Sequence, residues 1–138
     1  MSNNRIFTEK LRSLGLRPTQ QRIIICKLLF DRKDTFHFTI DDLNNSLKHT
    51  SLKKVSLATI YNTIHALKDK GYLKEISINS EKTYFDTNIS NHHHFFDESK
   101  RELIDLEDKD VGKIKIKKSV PGKKITSIEV LVKIANNN

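Results

Sequence analysis

The first half of the chain alternates apolar and polar residues with the spacing of amphipathic helices. An apolar run fills residues 23–30, and Thr19 stands before it as a helix N-cap. Thr39 and Asp42, three residues apart, form the pattern of a capping box for the next helix. A shorter amphipathic stretch, 6–14, precedes both. These patterns predict a helical N-terminal half.

A further helix is predicted from Leu57 to about Lys70, with Ser56 as its N-cap and Gly71 as its stop. Its apolar residues recur at intervals of three and four, so we expect one face to pack on the core. The core face would carry Leu57, Ile60, Ile64 and Leu67, the exposed face Thr59, Asn62, Thr63 and Ala66, with Tyr61 at the edge.

Beyond Gly71 the pattern becomes typical of strands. Residues 72–78 and 83–86 are rich in strand-forming residues, and a polar turn at 79–82 joins them. Three helices followed by a two-stranded hairpin is the order of a winged helix-turn-helix. In that order the last helix is the recognition helix, which enters the DNA major groove.

The second half of the chain reads as a separate unit. Strands are predicted at 92–96, 102–106 and 125–134, and the lysine-rich link between the last two contains Pro121 and Gly122. We therefore expect an α+β protein, with a winged-helix domain at 1–88 and a smaller domain at 89–138. A unit of about 50 residues buries a thin core, which favours dimerisation through it.

Charge and cysteine content narrow the partners. The chain carries 25 Lys and Arg against 17 Asp and Glu, a net charge of +8, and residues 1–88 hold 15 of the basic and 9 of the acidic residues. Such an excess favours a polyanionic partner. Cys26 is the only cysteine and lies in an apolar run, so we expect a buried, unreactive thiol. No apolar stretch reaches the length of a membrane span, and we expect a cytoplasmic protein without a membrane partner.

Three consecutive histidines open the segment His92-His93-His94-Phe95-Phe96-Asp97. On a strand, His92 and His94 point to one face and His93 to the other. Two imidazoles on one face are a typical start of a metal site.

Three motifs together resemble the ferric uptake regulator family of metal-dependent repressors. They are residues 15–22 (GLRPTQQR), residues 56–61 (SLATIY), and the histidine segment followed by residues 102–105 (ELID). Within the family the chain looks most like the iron response regulator branch. The resemblance implies a homodimer with an N-terminal winged helix that reads an operator in double-stranded DNA and a small C-terminal α/β domain that dimerises.

The resemblance also implies DNA-contacting residues. Arg17 matches a position that enters the minor groove, where narrow A·T-rich stretches attract a guanidinium. Tyr61 matches a tyrosine that contacts bases, and Thr59 and Arg22 match supporting contacts. Family members commonly carry arginine after that tyrosine, whereas this chain has Asn62, which pairs with adenine rather than guanine.

For sensing, the resemblance implies one divalent ion per subunit at His37, Asp86, His92 and His94, with Asp105 as a further oxygen ligand. Imidazole and carboxylate suit Fe, Mn or Zn without choosing among them. Members of the iron response regulator branch respond to haem status rather than simply to free Fe(II), which implies haem as an alternative ligand, its iron ligated from His92, His93 and His94.

Some family features are missing from the sequence. The first cysteine pair of the family's structural zinc site aligns with Asp97 and Lys100, so no cysteine-bound zinc is expected. Two alternatives to a metal-dependent regulator stay open: a winged-helix protein that binds DNA without metal, and a small zinc enzyme. We expect no enzyme, because the chain has no HExxH motif, no nucleophile elbow and no phosphate-binding glycine loop.

Overall fold

The computed structural model describes residues 2–50 and 54–137. The chain divides between Ile89 and Ser90 into two compact units, called here the N-terminal and C-terminal units. None of the helices in the described residues combines the length and the apolar character needed to cross a membrane.

The N-terminal unit packs four helices against a small antiparallel sheet with strand order β1-β3-β2. Its core lies between α2, α3, α4 and the sheet, with a second cluster under α1 around Phe7, Leu11 and Cys26. The elements in chain order are α1 (Ser2–Ser13), α2 (Gln20–Phe30), β1 (His37–Phe38), α3 (Ile40–Thr50), α4 (Leu57–Asp69), β2 (Lys74–Ser77) and β3 (Thr83–Asp86).

The helices begin at the predicted caps. Thr19 Oγ1 accepts a hydrogen bond from the backbone N–H of Arg22 at 3.3 Å. Thr39 and Asp42 form the reciprocal capping box, with both bonds at 3.1 Å. After α4, Gly71 adopts a φ of +88°, a left-handed conformation that glycine reaches without strain. The predicted starts and the stop of these helices are confirmed.

The buried face of α4 differs from the prediction at two residues. Ile60, Ile64 and Leu67 are fully buried as expected, but Leu57 is 47% exposed and Thr63 is fully buried. The Thr63 hydroxyl donates to the Thr59 carbonyl at 2.7 Å, so its burial leaves no unpaired polar group. The prediction that Thr63 lies on the exposed face was therefore wrong.

The predicted wing forms, with a shorter first strand, Lys74–Ser77. At its turn the Asn79 side-chain oxygen accepts from the backbone N–H groups of Glu81 and Lys82, both at 2.9 Å. The two-residue strand β1 was not predicted. It pairs antiparallel with β3, with Phe38 opposite Phe85.

The C-terminal unit is a three-stranded sheet in the order β5-β4-β6, with β5 antiparallel and β6 parallel to the central β4. The predicted strand at 125–134 forms only over its last four residues. The α+β class with a winged helix is confirmed, and the helical part of residues 90–137 is one 3-10 turn. The elements are β4 (His93–Asp97), β5 (Glu102–Leu106), the 3-10 helix Asp108–Asp110, and β6 (Leu131–Ile134).

Candidate metal centre and nucleic-acid interface

Strands β4 and β5, with His92 directly before β4, bring two imidazoles and a carboxylate together. The rings of His92 and His94 lie with their centroids 4.5 Å apart. Asp105 stands directly opposite His94 in the antiparallel β4–β5 ladder. Its Oδ1 lies 3.6 Å from Nε2 of His92 and 3.4 Å from Nε2 of His94. One potential ligand atom from each residue thus falls within 4.8 Å of the others.

The protonation pattern of His92 suits a metal ligand. Its Nδ1 donates to the Ser90 carbonyl at 2.7 Å, because a carbonyl oxygen only accepts. In the neutral ring this places the lone pair on Nε2, the atom that faces Asp105. The side chains of His92 and His94 are each 6% exposed, while that of Asp105 is 53% exposed. The imidazoles are therefore shielded, and the carboxylate borders solvent.

The spacing of these atoms fits a bound divalent ion. Two ligand atoms each about 2.1 Å from a tetrahedral ion lie roughly 3.4 Å apart. The two Nε2–Oδ1 distances, 3.4 and 3.6 Å, are close to that separation and longer than a strong hydrogen bond. The donor set of nitrogen and oxygen matches Zn, Fe and Mn.

His93 points to the opposite face of β4, as the sequence predicts. Its Nε2 donates to Asp108 Oδ1 at 2.7 Å, and its Nδ1 accepts from the backbone N–H of Val130 at 2.9 Å. Both ring nitrogens are thereby engaged, although the residue lies between the two candidate ligands in sequence.

The other two predicted ligands meet within the N-terminal unit. His37 in β1 is the direct register partner of Asp86 in β3. Asp86 is 1% exposed, and its Oδ1 accepts from the Asn88 backbone N–H at 2.9 Å. The His37 ring stands edge-on to Tyr84, with centroids 6.2 Å apart. A strand pairing that the sequence did not predict thus places His37 beside Asp86.

Asp97, which aligns with a family zinc cysteine, and Cys26, the chain's one thiol, both have local structural roles. Asp97 Oδ1 accepts from the backbone N–H groups of Ser99 and Lys100, at 2.9 and 3.1 Å, and so holds the β4–β5 turn. Burial raises the pKa of the Cys26 thiol to about 11, and the nearby Lys10 ammonium opposes the shift more weakly. The prediction that Cys26 is buried is confirmed.

The five predicted DNA-contacting residues divide into exposed and engaged side chains. Arg17, Tyr61 and Asn62 are exposed. The Arg22 guanidinium donates through Nη1 to the Arg17 carbonyl at 2.9 Å, and so holds the loop that carries Arg17. The Thr59 hydroxyl bonds to the Ser56 hydroxyl at 2.8 Å at the start of α4.

The sequence did not point to His65 on α4. Its ring stacks on that of Tyr61, with centroids 6.0 Å apart and an interplanar angle of 17°, and it meets Phe85 edge-on at 6.2 Å. The signal in the sequence was the spacing of four residues from Tyr61, which places both side chains on one face of a helix. His65 therefore links the exposed tyrosine to the core of its own unit.

The fold and the site define a class: a two-unit protein with a winged helix in one unit and a candidate metal centre of imidazoles and a carboxylate in the other. The chain belongs to the ferric uptake regulator family, whose sequence pattern matches residues 13–133. The peroxide-responsive repressor PerR of Staphylococcus aureus strain Mu50 is 33% identical over 97 residues, which is 70% of this chain. That match spans 64% of the relative's length, less than two thirds.

Solved structures of the family share the fold at low sequence identity. The ferric uptake regulator of Pseudomonas aeruginosa, solved with manganese, has a TM-score of 0.68 and 16% identity, over 96% of this chain and 99% of that one. The Vibrio cholerae ferric uptake regulator has a TM-score of 0.68 and 18% identity, over 94% and 98% respectively. At such identities the likeness concerns the fold alone.

Proposed function

We propose that this protein is a homodimeric transcription regulator that binds a double-stranded DNA operator, acts as a repressor, and has its DNA affinity set by a divalent metal ion. The observation that carries the proposal is the group of His92, His94 and Asp105 in a chain that begins with a winged helix. Membership of a family of regulators supports a regulator over a small zinc enzyme.

For the DNA end, the exposed Tyr61 and Asn62 on α4 are the base-reading residues, and Arg17 reaches the minor groove. Arg22 and Thr59 support them, Arg22 through its bond to the Arg17 carbonyl. An asparagine at this position favours adenine, so the operator differs there from one that an arginine reads through guanine.

For the metal end, we propose that His37 and Asp86 join His92, His94 and Asp105 around one ion per subunit. Asp86 precedes His92 by six residues, and His37 is the strand partner of Asp86. The ion would be Fe, Mn or Zn, each of which accepts nitrogen and oxygen ligands. Because the ligands come from both units, a bound ion would restrain the segment that joins the two units. That restraint is how the ion would change the affinity for DNA.

The contacts of His93 favour an ion over haem. Haem asks the protein for one or two axial nitrogens, and the iron response regulator branch would draw them from the histidine triplet. His93 donates a hydrogen bond through Nε2 to Asp108 and accepts one at Nδ1 from Val130. Haem ligation by this residue would break one of these hydrogen bonds.

The C-terminal unit is the proposed dimerisation surface. Its core is thin, and many of its large apolar side chains are exposed, which favours burial against a second copy. The exposed apolar residues of this unit are Ile104, Ile114, Ile116, Val120, Ile125, Ile128 and Val132.

The test combines metal analysis with DNA titration. Protein purified from its own host is analysed for metals and for a Soret band, and its affinity for a duplex selected from random sequence is measured with each metal found and after chelation. We expect metal to change affinity for the selected duplex, and His92→Ala, His37→Ala and Asp86→Ala to abolish the change.

The matched control is His49→Ala, which removes an exposed histidine of α3. It should respond to metal as the unmodified protein does. Equal affinity with and without metal would support the metal-independent DNA-binding alternative. A Soret band lost with the triplet, together with a full response in His37→Ala, would assign haem instead.

A further inference from the structure

Positive charge is concentrated between the 3-10 helix and β6. Residues 113–128, called here the lysine arm, hold six lysines and no acidic residue. The preceding part of the same unit, 90–112, holds three basic and seven acidic residues. The arm therefore has a net charge of +6, and residues 90–112 have a net charge of −4. The lysines, all exposed, are Lys113, Lys115, Lys117, Lys118, Lys123 and Lys124.

The acidic residues of the unit are mostly occupied within it. Asp105 faces the two metal-site histidines, and Asp108 accepts from His93. Asp97 holds the β4–β5 turn, while Asp110 and Glu107 cap the 3-10 helix. Across residues 2–50 and 54–137, no carboxylate pairs with an arm lysine. Within these described residues, the six ammonium groups of the arm therefore have no carboxylate partner.

The arm is anchored at both ends. Asp108 precedes the arm and Val130 follows it. Both form hydrogen bonds with the same buried imidazole, that of His93, at 2.7 and 2.9 Å. Near its middle, Lys123 N–H donates to the Val120 carbonyl at 3.0 Å across Pro121-Gly122, with Gly122 at a φ of +75°. Proline and then a positive-φ glycine fit a type II turn. A loop tied at its base and turned in the middle loses less entropy on binding than a free tail.

We propose that the lysine arm is a second DNA-contacting element, which binds backbone phosphates beside the operator without reading bases. The proposal rests on the proposed function, since it requires that the protein binds DNA. A run of unneutralised ammonium groups suits phosphates, and the bound counterions that each contact releases give binding a dependence on salt. Lys115 and Lys117 alternate with Ile114 and Ile116, so an extended backbone can turn lysines to DNA and isoleucines to protein.

The test is the salt dependence of DNA binding by the full-length, metal-loaded protein. Fluorescence anisotropy gives the association constant for the selected duplex and for a scrambled duplex from 50 to 200 mM KCl. The arm variant is Lys115→Gln/Lys117→Gln. The matched control is Lys100→Gln/Lys133→Gln, which removes two exposed lysines of the same unit outside the arm.

The slope of log K against log salt is negative, and each lost phosphate contact lowers its magnitude by about 0.9. The variant removes two lysines from each subunit of the proposed dimer, so four contacts are lost and the magnitude of the slope should fall by about 3.6 on both duplexes. A fourfold rise in salt should then cost the variant roughly 150-fold less affinity than it costs the unmodified protein. The control should lose less than about 0.5. Preference for the selected duplex should be kept, because phosphate contacts carry no sequence information.

Three results would overturn the inference. Equal slopes in the arm and control variants, with the preference of the unmodified protein intact, would remove the arm from the DNA interface and leave the proposed function standing. An unmodified protein without any preference for the selected duplex would remove both. Dissociation of the dimer by the arm variant alone, seen in sedimentation, would assign Lys115 and Lys117, together with the apolar residues of the arm, to the second copy instead of DNA.

Discussion

Replacing His93 by alanine should destabilise the C-terminal unit alone. The imidazole is 5% exposed and joins β4 to the two ends of the lysine arm. Its loss leaves the Val130 N–H without its acceptor, which costs about 1–3 kcal/mol for a group shielded from water. The bond to Asp108 adds at most about 1 kcal/mol, because that carboxylate is 74% exposed and well screened. We expect a loss of roughly 1–4 kcal/mol.

The assay is urea unfolding in a chelator, so that metal binding does not contribute to stability. The chain has three tyrosines and no tryptophan, and Tyr61, Tyr72 and Tyr84 all lie in the N-terminal unit. Tyrosine fluorescence thus follows that unit, while far-UV circular dichroism follows both.

Only the dichroism transition should move in His93→Ala. His93→Asn is the conservative control, because its side-chain oxygen replaces Nδ1 as acceptor for Val130 and should restore at least half of the loss. The reasoning fails if His93→Ala lies within about 0.5 kcal/mol of the unmodified protein, below the smallest cost expected for an orphaned N–H. It also fails if the tyrosine transition shifts as far as the dichroism transition.

Tyr61→Ala and Arg17→Ala should each weaken operator binding by about 1–3 kcal/mol and leave the dimer intact; a gel-shift titration beside a sizing run measures both, and unchanged affinity in both variants would misplace the DNA surface. A chain ended after Asn88 should sediment as a monomer, since the proposed dimer surface is gone; a stable dimer would contradict that assignment. Cys26, with its pKa raised from 9.0 to about 11, should hold roughly a hundredfold less thiolate at pH 8 than an ordinary cysteine. Its stabilising effect is present below pH 9 and lost as the pH rises through 11; rapid reaction with a thiol reagent in the folded protein would oppose its burial.

Local interactions explain what could be predicted along the chain. The caps at Thr19, Thr39 and Ser56 lie within three residues of the groups they bond, so the sequence contains both partners of each contact. The same holds for the wing turn at Asn79. Strand β5 forms over the predicted residues, 102–106. The alternation of a strand placed His92 and His94 on one face before any fold was known.

Contacts between distant residues decided the remainder. β1 is two residues long and is a strand only because β3, far along the chain, supplies its hydrogen bonds; that pairing puts His37 opposite Asp86. The predicted buried face of α4 was wrong at Leu57 and Thr63. Burial at these two residues depends on which face of the helix the sheet and α2 cover. A helical period does not contain that information.

The sequence by itself determined a basic winged helix, its caps, the alternation of the histidines and the family motifs, because these depend on composition and on neighbours a few residues apart. Tertiary structure alone decided that Asp105 stands against His92 and His94, through the register of β4 with β5. It also decided that His93 is bonded to both ends of the lysine arm rather than available to a ligand. Strand register and long-range bonds are set when the whole core packs, and a one-residue slip would reverse every face of the strand.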